Sequence, residues 1–223
     1  MKNILFVILV LGLVACTARP TIDTSPGAKF SYDGLAPVTN SRFEEAWADP
    51  DVDLREYKKV IAAAAEFEFR THLKSRTSSA GRGRGAIEFR MSDEAKQKLI
   101  DEVTAAFANE LQSVKGWEFV EEPGEETLIL VGRFLDIVSH VPRSAGGTGE
   151  VMISSVGEVT LVIEAKDSLS GETLFRAVQR STIKDRAGSI YVSPNNVASW
   201  SQVRLWAAKW ATALREGLES INE

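Results

Sequence analysis

Residues 158–183, EVTLVIEAKDSLSGETLFRAVQRSTI, decide the fold that this sequence predicts. From Val159 to Ala165 every second side chain is apolar and those between are mostly polar, which is the period-two pattern of a half-buried strand. Residues 167–171, DSLSG, are rich in the residue types that favour turns. A second strand-like run follows over residues 174–183. The whole segment therefore predicts an antiparallel β-hairpin.

Two segments outside the hairpin predict amphipathic helices. Ser92, followed by two acids, is a helix N-cap, and the pattern after it predicts a helix over about residues 93–114. A final helix is predicted up to about residue 221, with Asn195 or Asn196 as its cap. Apolar residues recur at spacings of three and four in both. The two stripes comprise Leu99, Ile100, Val103, Phe107, Leu111 and Val114, and Val203, Trp206, Ala207, Trp210, Leu214, Leu218 and Ile221.

Three further segments read as strands: residues 117–120, residues 127–138 and the two ends of residues 57–69. Residues 30–50 are predicted to be an irregular surface arm, with one short helical turn over Arg42–Trp47. The order of strand, helix, several strands and helix predicts an α+β fold. We expect a mostly antiparallel sheet of about 4–5 strands with two amphipathic helices packed on one face.

The chain starts MKNILFVILVLGLVAC, which has the layout of a secretory signal: a charge at Lys2, an apolar run and small residues before a cleavage site. The run is shorter than the about 20 residues that a bilayer span needs. Residues 13–16, LVAC, resemble the lipobox of bacterial lipoproteins. This resemblance implies that a diacylglycerol is attached to the sulfur of Cys16 and that the chain is cut before it. Cys16 is the only cysteine, which excludes an intrachain disulfide.

The expected domain organisation follows from this start. Residues 1–15 are predicted to be a lipoprotein signal peptide, residues 16–30 a lipidated tether, and residues 31–223 a single α+β periplasmic domain. In Gram-negative bacteria an Asp after the lipidated cysteine usually retains a lipoprotein in the inner membrane. Thr17 stands there in this chain, so for a Gram-negative source we expect the outer membrane, facing the periplasm.

The charge balance argues against a nucleic-acid partner. The formal net charge of the chain is −5, and removal of the signal takes away Lys2 but no acid, which makes the charge one unit more negative. Basic residues cluster locally in residues 75–85, SRTSSAGRGRG. Arg82 and Arg84, together with backbone N–H groups, are candidates to contact an anion such as a lipid phosphate or a glycan acid. The alternative is a solvated loop with no ligand.

The sequence contains no recognisable catalytic constellation. Phosphate-binding glycine loops, the nucleophile-elbow pattern, the zinc-protease pattern and calcium-loop spacings are all missing from it. His72 and His140 are its only histidines, and they lie in different segments without nearby cysteine or clustered carboxylates. We therefore expect no catalytic residues, no metal site, and no cofactor beyond the covalent lipid on Cys16. Both histidines are interpreted as surface or hydrogen-bonding residues.

Two other residue groups have a structural interpretation and a functional one. Trp206 and Trp210 lie on the apolar stripe of the last helix and are predicted to be core residues, whereas Trp200 precedes that stripe. The alternative is that these rings stack on a sugar. The acid pairs Glu44–Glu45 and Glu121–Glu122 are adjacent in sequence and near turns, so we expect them to be solvated.

Four segments together carry a family resemblance: YDGL (residues 32–35), SRF (41–43), DLREYKKV (53–60) and LVIEAKDSLSGETL (161–174). They resemble an uncharacterised family of bacterial lipoproteins, the domain of unknown function 3313. The resemblance covers most of the predicted mature chain. This family has no assigned activity or catalytic residues, so the resemblance implies no site.

These observations predict a non-enzymatic, outer-membrane-anchored periplasmic lipoprotein that binds or scaffolds a partner in the cell envelope. Expected partners are the membrane, through the lipid anchor, and an unidentified envelope protein or glycan. Two alternatives stay open: a hydrolase acting on cell-wall or other glycans, and a lipoprotein that binds anionic lipids or glycans through residues 75–85.

Overall fold

The computed structural model describes residues 19–72, 88–141, 151–153, 155–184, 190–192 and 197–221. The helices are α1 (Asp93–Leu111) and α2 (Val197–Ile221), and Leu54–Glu56 form a 3₁₀ turn. The strands are β1 (Thr21–Ile22), β2 (Ala36–Thr39), β3 (Glu45–Ala48), β4 (Lys59–Ala62), β5 (Glu66–Phe69), β6 (Glu118–Phe119), β7 (Thr127–Ser139), β8 (Val151–Ile153), β9 (Gly157–Asp167), β10 (Thr173–Ile183) and β11 (Ile190–Val192).

The predicted hairpin is confirmed as β9 and β10, which pair antiparallel over nearly their full length. Its turn is built as the sequence indicates. The carboxylate of Asp167 accepts hydrogen bonds from the backbone N–H groups of Leu169 and Ser170, at 3.0 and 2.7 Å. Gly171 then takes a positive φ of 75°, which glycine adopts without strain.

The main sheet is larger than predicted. Among the described residues it has nine strands, in the order β1-β2-β3-β10-β9-β7-β4-β6, and β5 also pairs with β7. The expected number, about 4–5 strands, is therefore too low, because strands of two to four residues carry almost no periodic signal in the sequence. A separate pair, β8 with β11, forms a small two-stranded sheet.

The predicted arm over residues 30–50 is wrong in part. It contains β2 and β3, and β3 occupies the place of the predicted helical turn over Arg42–Trp47. Pairing with β10 explains the difference, since Ala46 lies opposite Ala177 and Ala48 opposite Phe175 in the ladder. The predicted tether, residues 16–30, also contains a strand: Thr21 and Ile22 form β1 and pair with β2.

The segment predicted as strand-like at both ends becomes two strands along one edge of β7. Both β4 and β5 run parallel to β7, and the residues between them interrupt the ladder. Parallel neighbours need a long crossover, and α1 lies in the connection from β5 to β7. The sheet is thus antiparallel from β1 to β7 and parallel at this edge.

Both helices pack on the same face of the sheet, as predicted. Phe134 of β7 contacts Phe107 of α1 and Trp206 of α2, with ring centroids 5.5 and 6.4 Å apart. Phe134 lies opposite Leu161 in the ladder, so the apolar side chains of β9 share this face. The Oγ of Ser92 accepts a hydrogen bond from the N–H of Ala95 at 3.2 Å, which confirms the predicted cap of α1.

Candidate functional site

A cavity of about 620 Å³ lies at one end of the space between the sheet and the helices. It is bounded by the last residues of β7 and β10, the first residues of β9, and the N-terminal halves of α1 and α2. Its volume falls within the about 300–1,000 Å³ typical of small-molecule sites. The walls are mostly apolar, and they include Phe67, Leu99, Val103, Phe134, Val159 and Trp206.

The charged residues that line this cavity are mainly cationic. Arg90, Lys98 and Arg204 are exposed, and together with Glu158 they are the charged side chains among its lining residues. Arg204 is paired with Glu102 on α1, at 2.9 Å. The Nζ atom of Lys98 lies 4.8 Å from the ring centroid of Trp200 on α2. We call Arg90, Lys98 and Arg204 the cationic rim.

One buried donor at the cavity has no partner among the described residues. Trp206 is only 9% exposed, and its indole Nε1–H donates no hydrogen bond to any atom of the described part of the chain. Trp117 shows the usual arrangement, since its Nε1 donates to the carbonyl of Leu218 at 2.9 Å. Burying a donor without an acceptor costs about 1–3 kcal/mol, so such a group calls for an explanation.

The sequence predicted Trp206 and Trp210 to be core residues, and both are buried against the sheet. Trp200 is only partly buried and lies at the edge of the cavity. The helical spacing therefore found the core residues, but it did not reveal that Trp206 also borders an open space.

His140 takes part in an arrangement that resembles a catalytic triad. Its Nδ1 lies 2.5 Å from the Oγ of Ser155, and its Nε2 lies 3.9 Å from a carboxylate oxygen of Glu158. Burial lowers the pKa of His140, and the charges of Glu158 and Glu88 oppose that effect. However, Ser155 is only 2% exposed, and neither Ser155 nor His140 lines the cavity. Among the described residues, no opening leads from the cavity to the Ser155 hydroxyl. We therefore interpret His140 and Ser155 as a buried hydrogen-bonded pair that joins the end of β7 to the segment before β9.

A second polar cluster lies on the face of the sheet opposite the helices. Arg176 is 8% exposed; its Nε donates to Glu164 at 2.9 Å, and its two terminal nitrogens donate to the carboxylate of Asp33 at 2.9 and 2.6 Å. It also donates to the hydroxyl of Tyr32 at 3.2 Å. Arg176 lowers the pKa of Asp33 to about 2. This cluster fixes residues 31–35 on the sheet.

A further hydrogen bond joins two of the segments that carry the family resemblance. The hydroxyl of Tyr57 donates to the carboxylate of Asp167 at 3.1 Å, which ties the start of β4 to the hairpin turn. Burial and this hydrogen bond raise the pKa of Tyr57 to about 12. In the same segment, Asp53 accepts a hydrogen bond from the N–H of Arg55 and caps the 3₁₀ turn. The resemblance therefore rests on residues that hold the fold together.

The family model described as "Protein of unknown function (DUF3313)" matches residues 25–214. The chain belongs to this family. The match confirms the resemblance seen in the sequence, and the four segments that carry it all lie inside the matched residues. No curated protein matches this DUF3313 chain.

Three solved structures show a distant likeness to this chain. The PelC dodecamer from Paraburkholderia phytofirmans is 12% identical, with 75% of this chain and 96% of that chain covered and a TM-score of 0.31. A putative neuraminyllactose-binding hemagglutinin homolog from Helicobacter pylori is 8% identical (75% and 86% covered, TM-score 0.40). A minor lipoprotein from Acinetobacter baumannii is 13% identical (74% and 92% covered, TM-score 0.33). At these TM-scores the similarity establishes no shared function.

Several predicted residues of this DUF3313 protein lie outside the described residues, namely Cys16, Arg82 and Arg84. Lipidation at Cys16 and anion binding at residues 75–85 therefore stay predictions. His72 is exposed, as expected, and so are the acid pairs Glu44–Glu45 and Glu121–Glu122. Within the described ranges, no group of three or more metal-ligating side chains comes together, and no helix is long and apolar enough to cross a membrane.

Proposed function

We propose that this protein is a non-enzymatic binding module of the bacterial cell envelope. A lipid on Cys16 anchors it to the outer membrane with its domain facing the periplasm, and the cavity between sheet and helices binds a small molecule. The anchor is supported by the lipobox-like residues 13–16. The cavity, with its apolar walls and ligand-sized volume, is the observation that carries the binding proposal.

The lining of the cavity favours binding over catalysis. Glu158 is the only carboxylate among the described residues that line it, and no histidine or cysteine lines it. General acid–base chemistry needs a positioned group within hydrogen-bond reach of the substrate, and a nucleophile needs an adjacent base. No second carboxylate joins Glu158 among the described lining residues, and the Oγ atoms of Ser92 and Ser139 already accept hydrogen bonds from the backbone N–H groups of Ala95 and Val141. The hydrolase alternative therefore gains no support from this geometry.

The experiment uses a neutral apolar fluorophore, N-phenyl-1-naphthylamine, whose emission rises in an apolar site. It is titrated into the full chain carrying Cys16→Ser, which removes the covalent lipid as a competing ligand. Ala95 lines the cavity on α1, whereas Ala105 lies on the exposed side of the same helix. We expect saturable binding of one probe per chain, which Ala95→Phe abolishes by filling the cavity.

The matched control is Ala105→Phe, which adds the same ring to the same helix and should leave probe binding unchanged. Circular dichroism and thermal melting establish that both variants fold. The binding proposal would be wrong if the Ala95→Phe and Ala105→Phe variants bound the probe equally well, or if the chain carrying only Cys16→Ser did not bind it.

A further inference from the structure

The cavity combines an apolar interior with a charged opening, and this inference rests on the binding function proposed above. Phe67, Phe134 and Val159 provide wall surface that cannot hydrogen-bond through its side chains. A glycan or a polar peptide would leave its own polar groups unpaired against such walls, at a cost in free energy. An extended hydrocarbon chain matches them, because burying apolar area is favourable and needs no partner atoms.

The charges at the opening define the head of the ligand. The charged residues that line the cavity are the three cations of the rim and one carboxylate, Glu158. Arg204 is already paired with Glu102, but Arg90 and Lys98 form no salt bridge within the described ranges. Among the described lining residues, these two exposed cations therefore leave a net positive charge at the opening, which favours an anionic head group over a neutral or cationic one.

The indole of Trp206 adds a specific polar contact. Its Nε1–H is buried and has no acceptor in the described part of the chain. An apolar ligand that also carries an oxygen atom gives this donor an acceptor and relieves the cost of leaving it unpaired. A hydroxyl, ester or carboxyl oxygen has the required lone pairs.

From these three observations we infer that the cavity binds a single-chain anionic amphiphile. Its hydrocarbon chain lies among the apolar walls, its acidic head group lies at Arg90 and Lys98, and one of its oxygen atoms accepts the hydrogen bond from Trp206. A fatty acid and a lysophospholipid with an acidic head group share this chemistry.

The test compares ligands that share one chain and differ in charge. Tetradecanoate, tetradecanol and tetradecyltrimethylammonium each compete with bound N-phenyl-1-naphthylamine, the two ions below their micellar concentrations and the alcohol below its solubility limit. We expect tetradecanoate to bind about three- to tenfold more tightly than tetradecanol, as two exposed cations allow. Tetradecyltrimethylammonium should bind most weakly, and added salt should reduce the difference. The same competition with tetradecanoyl lysophosphatidylglycerol then shows whether a phosphate or a carboxylate head group binds more tightly.

Substitutions test whether Arg90, Lys98 and Trp206 cause the preference for an anionic ligand. Arg90→Gln with Lys98→Gln should remove the preference for the anion while leaving the neutral probe bound. Lys209→Gln, an exposed lysine on α2 that does not line the cavity, is the matched control and should change nothing. Trp206→Phe keeps an aromatic ring but removes the donor, and it should weaken tetradecanoate more than the neutral probe.

The outcomes separate the two proposals. If the neutral probe binds but the three ligands compete equally, or the cation competes best, the anionic amphiphile is excluded and the binding function stands. An anion preference that survives Arg90→Gln with Lys98→Gln overturns the assignment to this rim. If neither the probe nor any ligand binds, both proposals fail.

Discussion

Arg176 is a buried cation whose removal has a predictable cost. It is held between Glu164 and Asp33 on the face of the sheet opposite the helices. Burial alone would raise the pKa of Glu164, but the hydrogen bond from Arg176 and the charges of Arg133 and Lys166 lower it. Arg176→Met leaves Glu164 buried with its weaker partners, so we expect the free energy of unfolding to fall by roughly 2–4 kcal/mol. Urea denaturation measures it.

Arg180→Met is the matched control for that experiment. Arg180 lies on the same strand and pairs with Glu45 at 3.1 Å, but its side chain is 59% exposed. Exposed pairs contribute only about 0–1 kcal/mol, so this variant should change stability little. Equal losses in the two variants would mean that burial of the Arg176 cluster does not matter.

Asp33 makes part of this stabilisation dependent on pH. Its pKa is lowered to about 2 in the folded protein from an ordinary value of 3.8. A carboxyl whose pKa falls on folding stabilises the native state above its unfolded pKa, and this contribution is lost as the pH drops through the folded pKa. Asp33→Asn should therefore cost about 1 kcal/mol at pH 6, after allowance for solvent screening.

The same variant tests the sign of that linkage. At pH 3 the contribution of Asp33 has fallen by about half, so the stability gap between the original chain and the Asp33→Asn chain should narrow. Urea midpoints at pH 6 and pH 3 give the comparison. A gap that stays constant or widens at pH 3 contradicts the assigned ion pair.

At the scale of elements, the close approach of β9 to β7 depends on a glycine. A Cβ atom placed on Gly157 would lie 2.2 Å from the carbonyl oxygen of Val138, closer than backbone atoms tolerate. Gly157→Ala should force the strands apart and lower stability by about 1–3 kcal/mol or more. Because Gly157 also lines the cavity, probe binding should weaken as well. Thermal melting and probe titration follow both effects.

Gly217→Ala, unlike Gly157→Ala, is expected to raise the stability of the protein. Gly217 lies inside α2, and a Cβ atom there would meet nothing within 4 Å. Alanine in a helix interior is more stable than glycine by roughly 0.5–1 kcal/mol, so this variant should raise the melting temperature. A loss of stability in the Gly217→Ala variant, or none in the Gly157→Ala variant, would contradict the packing described for that position.

The elements that the sequence predicts well are those with a long periodic pattern. The β9–β10 hairpin and both helices each carry that pattern within one segment. The cap of α1 at Ser92 was also predictable, because its signal is the local sequence of a serine followed by two acids. By contrast, β2 and β3 are four residues each, and their conformation depends on pairing with β10. The parallel pairing of β4 and β5 with β7 is also a tertiary feature, which no local pattern encodes.

The candidate site was less predictable than the fold. Trp206 was placed correctly in the core, but Glu158 of β9 lies 60 residues after Lys98 of α1 in the sequence, and the two line one cavity only because α1 packs on the sheet. Likewise, Arg176 reads in the sequence as one polar residue in a strand. Its burial depends on Asp33, which lies 143 residues earlier.

At the scale of the whole molecule, the distance from the proposed lipid anchor to the domain is short. The first strand, β1, begins at Thr21, five residues after Cys16. An extended chain spans at most about 3.3–3.6 Å per residue, so a lipid on Cys16 would hold the β1 edge of the sheet within about 17 Å of the bilayer surface. The anchor would therefore restrict where the domain can meet a partner in the envelope.

The anchor itself is tested by Cys16→Ser. This change removes the sulfur to which the lipid would attach, so we expect loss of palmitate labelling and release of the protein from membranes. Thr17→Asp is the matched control: it keeps the cysteine, should keep the label, and in a Gram-negative cell should move the protein to the inner membrane. Membrane fractionation of both variants gives the readout. A Cys16→Ser chain that stays in the membrane fraction without label would show that another feature, such as the apolar run of residues 4–14, holds the protein there.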